Sequence, residues 1–69
     1  MGRKLDWDHL RSFEAVARLG GLTAASKSLG VAQSTVSRHL AALERIAGSP
    51  LLLRETPLRL TERGALLLA

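Results

Sequence analysis

Polar residues near the middle of the chain have the groups needed to read a DNA duplex. A helical wheel that starts at Gln33 places one polar row on a single side of a helix, and this row contains Ser34, Ser37, Arg38 and the small Ala41. Arginine pairs bidentately with guanine, glutamine pairs with adenine, and serine can bond either a base or the backbone. Each residue alone would suit any exposed helix surface. Together, beside a glycine turn, they favour DNA contact.

Two short helices joined by a tight turn would position this row. We predict that the first ends at Leu29, that Gly30 takes the left-handed conformation that closes a helix, and that the second begins near Gln33. Ser26 is small enough to let the helices approach closely. This spacing predicts a helix-turn-helix, whose second helix enters the major groove. The apolar residues expected to hold the pair together are Leu22, Ala25, Leu29, Val31, Val36 and Leu40.

Composition agrees with an anionic partner. The 69 residues carry a formal net charge of +4 and contain no cysteine. We therefore expect one small domain of a longer chain, without a disulfide framework. No acid occurs between Glu14 and Glu44, an interval that includes Lys27 and Arg38. The chain has neither a signal-peptide pattern nor an apolar run long enough to span a bilayer, so a cytoplasmic protein without membrane contact is the default expectation.

Enzymatic chemistry has little support in the sequence. No nucleophile has a base beside it, and no glycine loop could cradle a phosphate. Ser37 and His39 lie two positions apart on a helix and point in different directions, so they do not form a dyad. We expect His9 and His39 on polar helix sides, without the neighbours that a metal site requires. The sequence predicts no enzyme, no metal and no cofactor.

The first and third helices should form the core. The first is predicted from about Asp8 to Leu19. Trp7 would cap the core or lie at a partner surface, and the core or its rim is the favoured place. Its expected buried stripe is Leu10, Phe13, Val16 and Ala17. Thr23 is a candidate N-cap for the second helix. The third should continue from Gln33 to Ala47.

The end of the third helix contains both capping and polar candidates. Gly48 is the candidate C-cap, and Pro50 prevents continuation. We expect Val36, Leu40 and Leu43 to face inward, whereas Glu44 and Arg45 form an ordinary polar outer end.

The remaining residues predict a small hairpin and one more helix. Residues 51–54 and 58–60 would be strands, joined by a turn at 55–57. Arg54 could enter a minor groove or be an ordinary solvated arginine, and the residues alone leave both readings open. Thr61 would N-cap a last helix from Glu62 to Ala69. That helix is apolar almost all round near its end, so it is expected to need a partner.

These motifs together resemble the N-terminal DNA-binding domain of LysR-type transcriptional regulators. The resemblance rests on Leu-x-Val-x-Gln-Ser-x-Val-Ser-Arg at 29–38, Leu-Glu at 43–44 and Leu-Thr-Glu-x-Gly at 60–64. Molybdate-responsive regulators share this kind of domain, so the subfamily stays open. The resemblance implies a mainly α, winged helix-turn-helix fold, with a three-helix core, a β-hairpin wing and the start of a linker helix. We divide the chain into a DNA-binding domain at 1–60 and the linker helix at 61–69.

The resemblance also implies partners and site residues. Double-stranded DNA is the expected ligand, and the linker helices would pair two chains into a homodimer. A small-molecule effector is expected only in a C-terminal domain outside this chain. Thr23 is expected to contact a phosphate. The other expected DNA contacts are Lys27, Gln33, Ser34, Thr35, Ser37, Arg38 and Arg54. The expected dimerisation residues are Ala65, Leu66, Leu67 and Leu68.

Two departures from the family pattern affect these expectations. Ala32 stands where serine or threonine is usual, so an N-cap worth about 1 kcal/mol is expected to be missing. Leu52 stands where phenylalanine is frequent, and the 55–57 turn is short and not very basic, which puts the wing contacts in question. The alternative reading is a winged helix that binds proteins, or dimerises, without functional DNA contact.

Overall fold

Four helices and one short hairpin make up the computed structural model, which describes residues 7–55 and 58–68. The mainly α, winged helix-turn-helix fold is confirmed, with three core helices, a two-stranded wing and a fourth helix. Residues 1–6, Thr56 and Pro57 of the predicted turn, and Ala69 of the predicted last helix lie outside the described residues. The elements are α1 (Trp7–Leu19), α2 (Leu22–Leu29), α3 (Gln33–Ala47), β1 (Leu52–Leu53), β2 (Arg59–Leu60) and α4 (Glu62–Leu68).

The core lies where α1, α2 and α3 meet. Phe13 and Val16 of α1 are fully buried, as predicted, whereas Leu10 and Ala17 are only half-buried. The other buried apolar residues are Ala15, Ala25, Val36, Leu40, Leu43, Leu51 and Leu52. Ser26 is also buried, as expected for the close approach between helices. Placing Trp7 in the core was wrong, since it is 77% exposed and lines a surface groove with Leu10.

Glycines end the core helices as predicted. Gly30 and Gly48 have φ values of +72° and +75°, and their backbone N–H groups donate to Ser26 and Glu44. These left-handed residues satisfy carbonyls that the helix ends would otherwise leave unpaired. The Gly30 turn brings Val31 to the surface, where it is 41% exposed. The prediction that Val31 returns to the core was therefore wrong.

The start of α2 also differs from the prediction. Its N-cap is Gly21 in an extended conformation, with no side-chain cap, and α2 begins at Leu22. Thr23 therefore lies inside the first turn, where its hydroxyl is not positioned to cap the helix. The N-cap prediction for Thr23 was wrong because the Gly20–Gly21 break lets the helix begin one residue earlier.

A polar contact joins α1 to α3 inside the helical core. Ser12 is buried, and its hydroxyl shares a 2.7 Å hydrogen bond with His39 Nδ1. The rings of His9 and His39 lie 4.6 Å apart. Placing His39 on the polar side was wrong, because position 39, three residues after Val36 and four before Leu43, borders the inward row of the helix. The residue supports helix packing and is half-buried.

The wing and α4 pack against the end of α3. Strands β1 and β2 are antiparallel, with Leu52 opposite Leu60 and Leu53 opposite Arg59. They are shorter than predicted, and Leu51 is a buried residue that precedes β1. Thr61 caps α4 as predicted, because its hydroxyl accepts a 3.0 Å hydrogen bond from the Gly64 N–H. None of the helices in 7–55 and 58–68 is long and apolar enough to cross a membrane.

Candidate nucleic-acid interface

One side of α3 is exposed and polar, while the opposite side is buried. Val36, Leu40 and Leu43 are at most 2% exposed. The division of α3 predicted from the helical wheel is therefore confirmed. Since the buried side is clamped by α1 and α2, the exposed side has a defined orientation on the surface. The exposed row consists of Gln33, Ser34, Ser37, Arg38 and Ala41.

The two helices of the helix-turn-helix are linked at the edge of this row. Thr23 lies in the first turn of α2, and its hydroxyl donates a 3.1 Å hydrogen bond to Oε1 of Gln33. Both residues are exposed. The sequence predicted each as a DNA contact but did not predict their bond. No local signal could have revealed it, because the two residues belong to different helices.

Thr35 stands apart from the exposed row. It is half-buried, and it lines a hollow of about 320 Å³ together with Ser12, Val31 and His39. Its backbone N–H donates to the Ala32 carbonyl at 3.0 Å, within the first turn of α3. The predicted DNA contact of Thr35 stays a prediction, and its side chain is less accessible than those of its neighbours.

The N-terminus of α3 has no side-chain cap. Ala32 occupies the N-cap position with extended backbone angles, and its side chain cannot accept a hydrogen bond. The missing cap predicted from the sequence is therefore confirmed. N–H groups at such a helix start point outward and favour an anion such as a phosphate, and this end of α3 lies beside Thr23 and Gln33.

Two cations near the exposed polar row of α3 form no ion pair with the described residues. Lys27 on α2 and Arg38 on α3 are both exposed. The ion pairs among the described residues use Arg11, Arg18, Arg54 and Arg59 instead. Lys27 and Arg38 therefore keep their charge available to a phosphate or a base edge, and no described acid would have to be displaced first.

Arg54 is held at the base of the wing by an acid of α3. Its guanidinium donates a 3.3 Å hydrogen bond to Oε1 of Glu44, whose other oxygen accepts the backbone N–H groups of Leu51 at 2.8 Å and Leu52 at 3.3 Å. Only 20% of the Glu44 side chain is exposed. Treating Glu44 as part of an ordinary polar outer end was wrong. The available signal was its position four residues after Leu40, in phase with the buried row.

Helix α4 displays apolar side chains on the surface. Ala65, Leu66 and Leu68 are exposed, with Leu66 at 69%, whereas Leu67 packs partly against the core. Apolar grooves flank α4 on both sides. One, of about 370 Å³, is lined in part by Ile46 and Leu66. The other, of about 420 Å³, is lined in part by Leu67 and Leu68. The predicted dimerisation residues are thus accessible, except for part of Leu67.

Metal chemistry has no support in the described part of the chain. Residues 7–55 and 58–68 contain no cluster of three or more histidine, cysteine, aspartate or glutamate residues that could hold an ion.

Comparison with known proteins agrees with this geometry. Residues 7–65 match the family model described as bacterial regulatory helix-turn-helix protein, lysR family. The chain is 40% identical over 67 residues to the HTH-type transcriptional regulator ArgP of Yersinia enterocolitica, covering 97% of this chain and 23% of that protein. The chain spans less than a quarter of the length of the curated regulators it matches.

Solved structures show the same architecture. The crystal structure of ArgP from Mycobacterium tuberculosis superposes with a TM-score of 0.88 at 40% identity, covering 94% of this chain and 25% of that one. The crystal structure of a CbnR DBD–DNA complex superposes with a TM-score of 0.86 at 38% identity, covering 91% of this chain and 74% of that one. The second neighbour contains DNA.

Proposed function

The chain belongs to the LysR family of bacterial regulatory helix-turn-helix proteins, and we propose that it binds duplex DNA sequence-specifically as part of a transcriptional regulator. The observation that carries this proposal is the exposed polar row of α3, held outward by a fully buried opposite side. In a helix-turn-helix the second helix lies in the major groove with its N-terminal residues on the base edges. Here those residues are Gln33, Ser34, Ser37 and Arg38.

Affinity and sequence preference would come from different residues. Contacts to phosphate position a protein on DNA, and contacts to base edges determine the sequence that it reads. We assign Lys27 and the backbone N–H groups at the starts of α2, around Thr23, and of α3 to phosphate, with Thr35 at the margin of the site. Arg38 is assigned to a base edge. Arg54, held by Glu44 at the wing, is assigned to the flanking minor groove.

We further propose that two chains act together through α4. Leu66 and Leu68 are exposed beside apolar grooves, a surface that a second copy would cover. Two recognition helices would then enter major grooves about one helical turn (~34–36 Å) apart, or a multiple of that. This assigns residues 1–60 to DNA binding and 61–69 to the start of the linker helix. Such a regulator acts on DNA in the cytoplasm, and its effector would bind outside this chain.

The proposal is tested by replacing Arg38 with alanine. Loss of a bidentate base contact should weaken binding to a selected site by ~1–3 kcal/mol and relax the preference at one base pair. Replacing Lys27 with alanine should weaken binding to all duplexes and reduce the salt dependence. Arg45→Ala is a matched control, because Arg45 is an exposed arginine in the last turn of α3, seven residues beyond Arg38.

The outcomes separate DNA binding from the alternative reading. Affinities are measured by fluorescence anisotropy with selected and random duplexes over a range of salt concentrations. An Arg38→Ala variant with unchanged affinity and unchanged preference would contradict the assignment of α3. Absence of binding by the parent chain to any duplex at low salt would instead favour a protein-interaction module.

A further inference from the structure

We propose that Thr23 is a positioning residue that sets the base preference of Gln33. The inference rests on the proposed function and adds a specific role to it. The Thr23 hydroxyl holds the side-chain carbonyl oxygen of Gln33, so the amide nitrogen is the group that Gln33 presents to a base.

Hydrogen bonds to backbone carbonyls anchor both residues of the Thr23–Gln33 contact. Thr23 belongs to the first turn of α2, and its carbonyl accepts a 2.8 Å hydrogen bond from the hydroxyl of Ser26, which is buried. Gln33 is the first residue of α3, whose start is fixed by bonds from Thr35 and Val36 to the Ala32 carbonyl. Two separately anchored helix starts therefore meet through the 3.1 Å bond between Thr23 Oγ1 and Gln33 Oε1. The Thr23 hydroxyl is therefore held next to its acceptor, Gln33 Oε1.

The structure shows one of the two orientations of the Gln33 amide, the one in which Oε1 accepts from Thr23. A glutamine side chain has an acceptor oxygen at one side and two N–H donors at the other. Rotated by half a turn, it presents either group to a base. With Oε1 bonded to Thr23, the N–H donors are the free groups. They suit base-edge acceptors, such as N7 and O6 of guanine, N7 of adenine or O4 of thymine, better than the N4 donor of cytosine.

The same bond limits what else Thr23 can do. A threonine hydroxyl has a single proton to donate, and a phosphate oxygen only accepts hydrogen bonds. While that proton is on Gln33 Oε1, the Thr23 hydroxyl cannot also donate to a phosphate. A phosphate contact at this residue would therefore use the backbone N–H groups at the start of α2.

Two substitutions separate a positioning role from a phosphate contact. Thr23→Val keeps the shape of the side chain but removes the hydroxyl, whereas Thr23→Ser keeps the hydroxyl. Ser28→Ala is a matched control, because it removes another exposed hydroxyl from α2. Thermal unfolding of each variant, followed by circular dichroism, establishes that the fold is retained. The Thr23→Ser variant also provides a folded comparison if the valine variant is destabilised.

The first readout is made without DNA. In ¹⁵N-labelled chain, the side-chain NH₂ resonances of Gln33 should shift in Thr23→Val and show a lower order parameter than in the parent. They should keep the parent behaviour in Thr23→Ser and Ser28→Ala. Unchanged Gln33 resonances and order in Thr23→Val would overturn the proposal. This result does not depend on whether the chain binds DNA.

The second readout is selection from randomised duplexes. The base pair read by Gln33 is identified as the one whose preference disappears in Gln33→Ala. At that pair, Thr23→Val should reduce the preference roughly three- to tenfold, the range that follows from loss of one exposed hydrogen bond. Thr23→Ser should retain it, and affinity for random duplex should change little. A Thr23→Val variant that loses affinity equally for all duplexes, with its preference intact, would overturn the proposal in favour of a phosphate contact.

Discussion

Replacing Gly64 with alanine is the substitution whose effect the packing determines most directly. Gly64 lies in the first turn of α4 and is buried. A Cβ atom added there would collide with the carbonyl oxygen of Leu51 and lie 3.2 Å from Cδ2 of Leu60. The Leu51 carbonyl cannot easily withdraw, because it accepts a 3.0 Å hydrogen bond from the Thr61 N–H. The adjacent Leu51 N–H is bonded to Glu44.

The expected magnitude follows from two opposing effects. In an ordinary helix interior, glycine to alanine stabilises by about 1 kcal/mol. Overpacking against a well-packed site costs about 1–3 kcal/mol. Because the colliding Leu51 carbonyl is fixed by a hydrogen bond, we expect the cost for Gly64→Ala to lie at the upper end of this range. We therefore expect Gly64→Ala to lower the free energy of unfolding by about 2 kcal/mol. In a domain of this size each kcal/mol shifts the melting temperature by about 4–8 °C, so Tm should fall by about 8–16 °C.

The assay is thermal and urea unfolding of the chain followed by circular dichroism at 222 nm. Gly21→Ala is the matched control, since a Cβ at Gly21 meets nothing within 4 Å and its φ is −171°. Its Tm should stay within a few degrees of the parent, because the weaker N-cap is offset by the smaller entropy of the unfolded chain. A Gly64→Ala chain at least as stable as the parent would refute the close approach of α4 to Leu51.

Three further substitutions test other contacts. Glu44→Ala should destabilise the chain by about 2–3 kcal/mol in urea unfolding, because two backbone N–H groups lose a charged acceptor; stability equal to that of an Arg45→Ala control would contradict the role of Glu44 in holding the wing. Ala32→Ser should raise stability by about 1 kcal/mol by supplying the missing N-cap of α3, and an unchanged urea midpoint would show that no cap forms. Leu66→Glu should reduce self-association in sedimentation velocity while each chain stays folded, because Leu66 is 69% exposed; an unchanged association state would argue against α4 as the dimer surface.

Much of the fold was predictable because its signals are local. Gly30 and Gly48 mark helix ends through backbone angles that only glycine adopts easily, and both are left-handed in the structure. The Thr61 cap spans only three residues. The alternation of apolar and polar positions along α3 was likewise sufficient to predict its buried and exposed sides. Periodicity within one helix needs no knowledge of what packs against it.

The errors occurred where another element decides a residue's surroundings. Trp7 is a large aromatic residue of a type favoured for the core, yet it is 77% exposed. Thr23 has the side chain of an N-cap, but the preceding glycines allow α2 to begin earlier. Glu44 has the side chain of a surface residue and instead binds the wing. For Thr23 and Glu44, the side-chain type was a weaker signal than the backbone beside it.

The sequence by itself determined the glycine-closed ends of α2 and α3, the polar row of α3 and the family to which the chain belongs, since each depends on residues close together along the chain. Only the tertiary structure decided which groups meet across elements. It brought Thr23 to Gln33, Ser12 to His39 and Gly64 to the carbonyl of Leu51. Such contacts depend on how the helices cross, and crossing is set by the packing of the whole core rather than by any one segment.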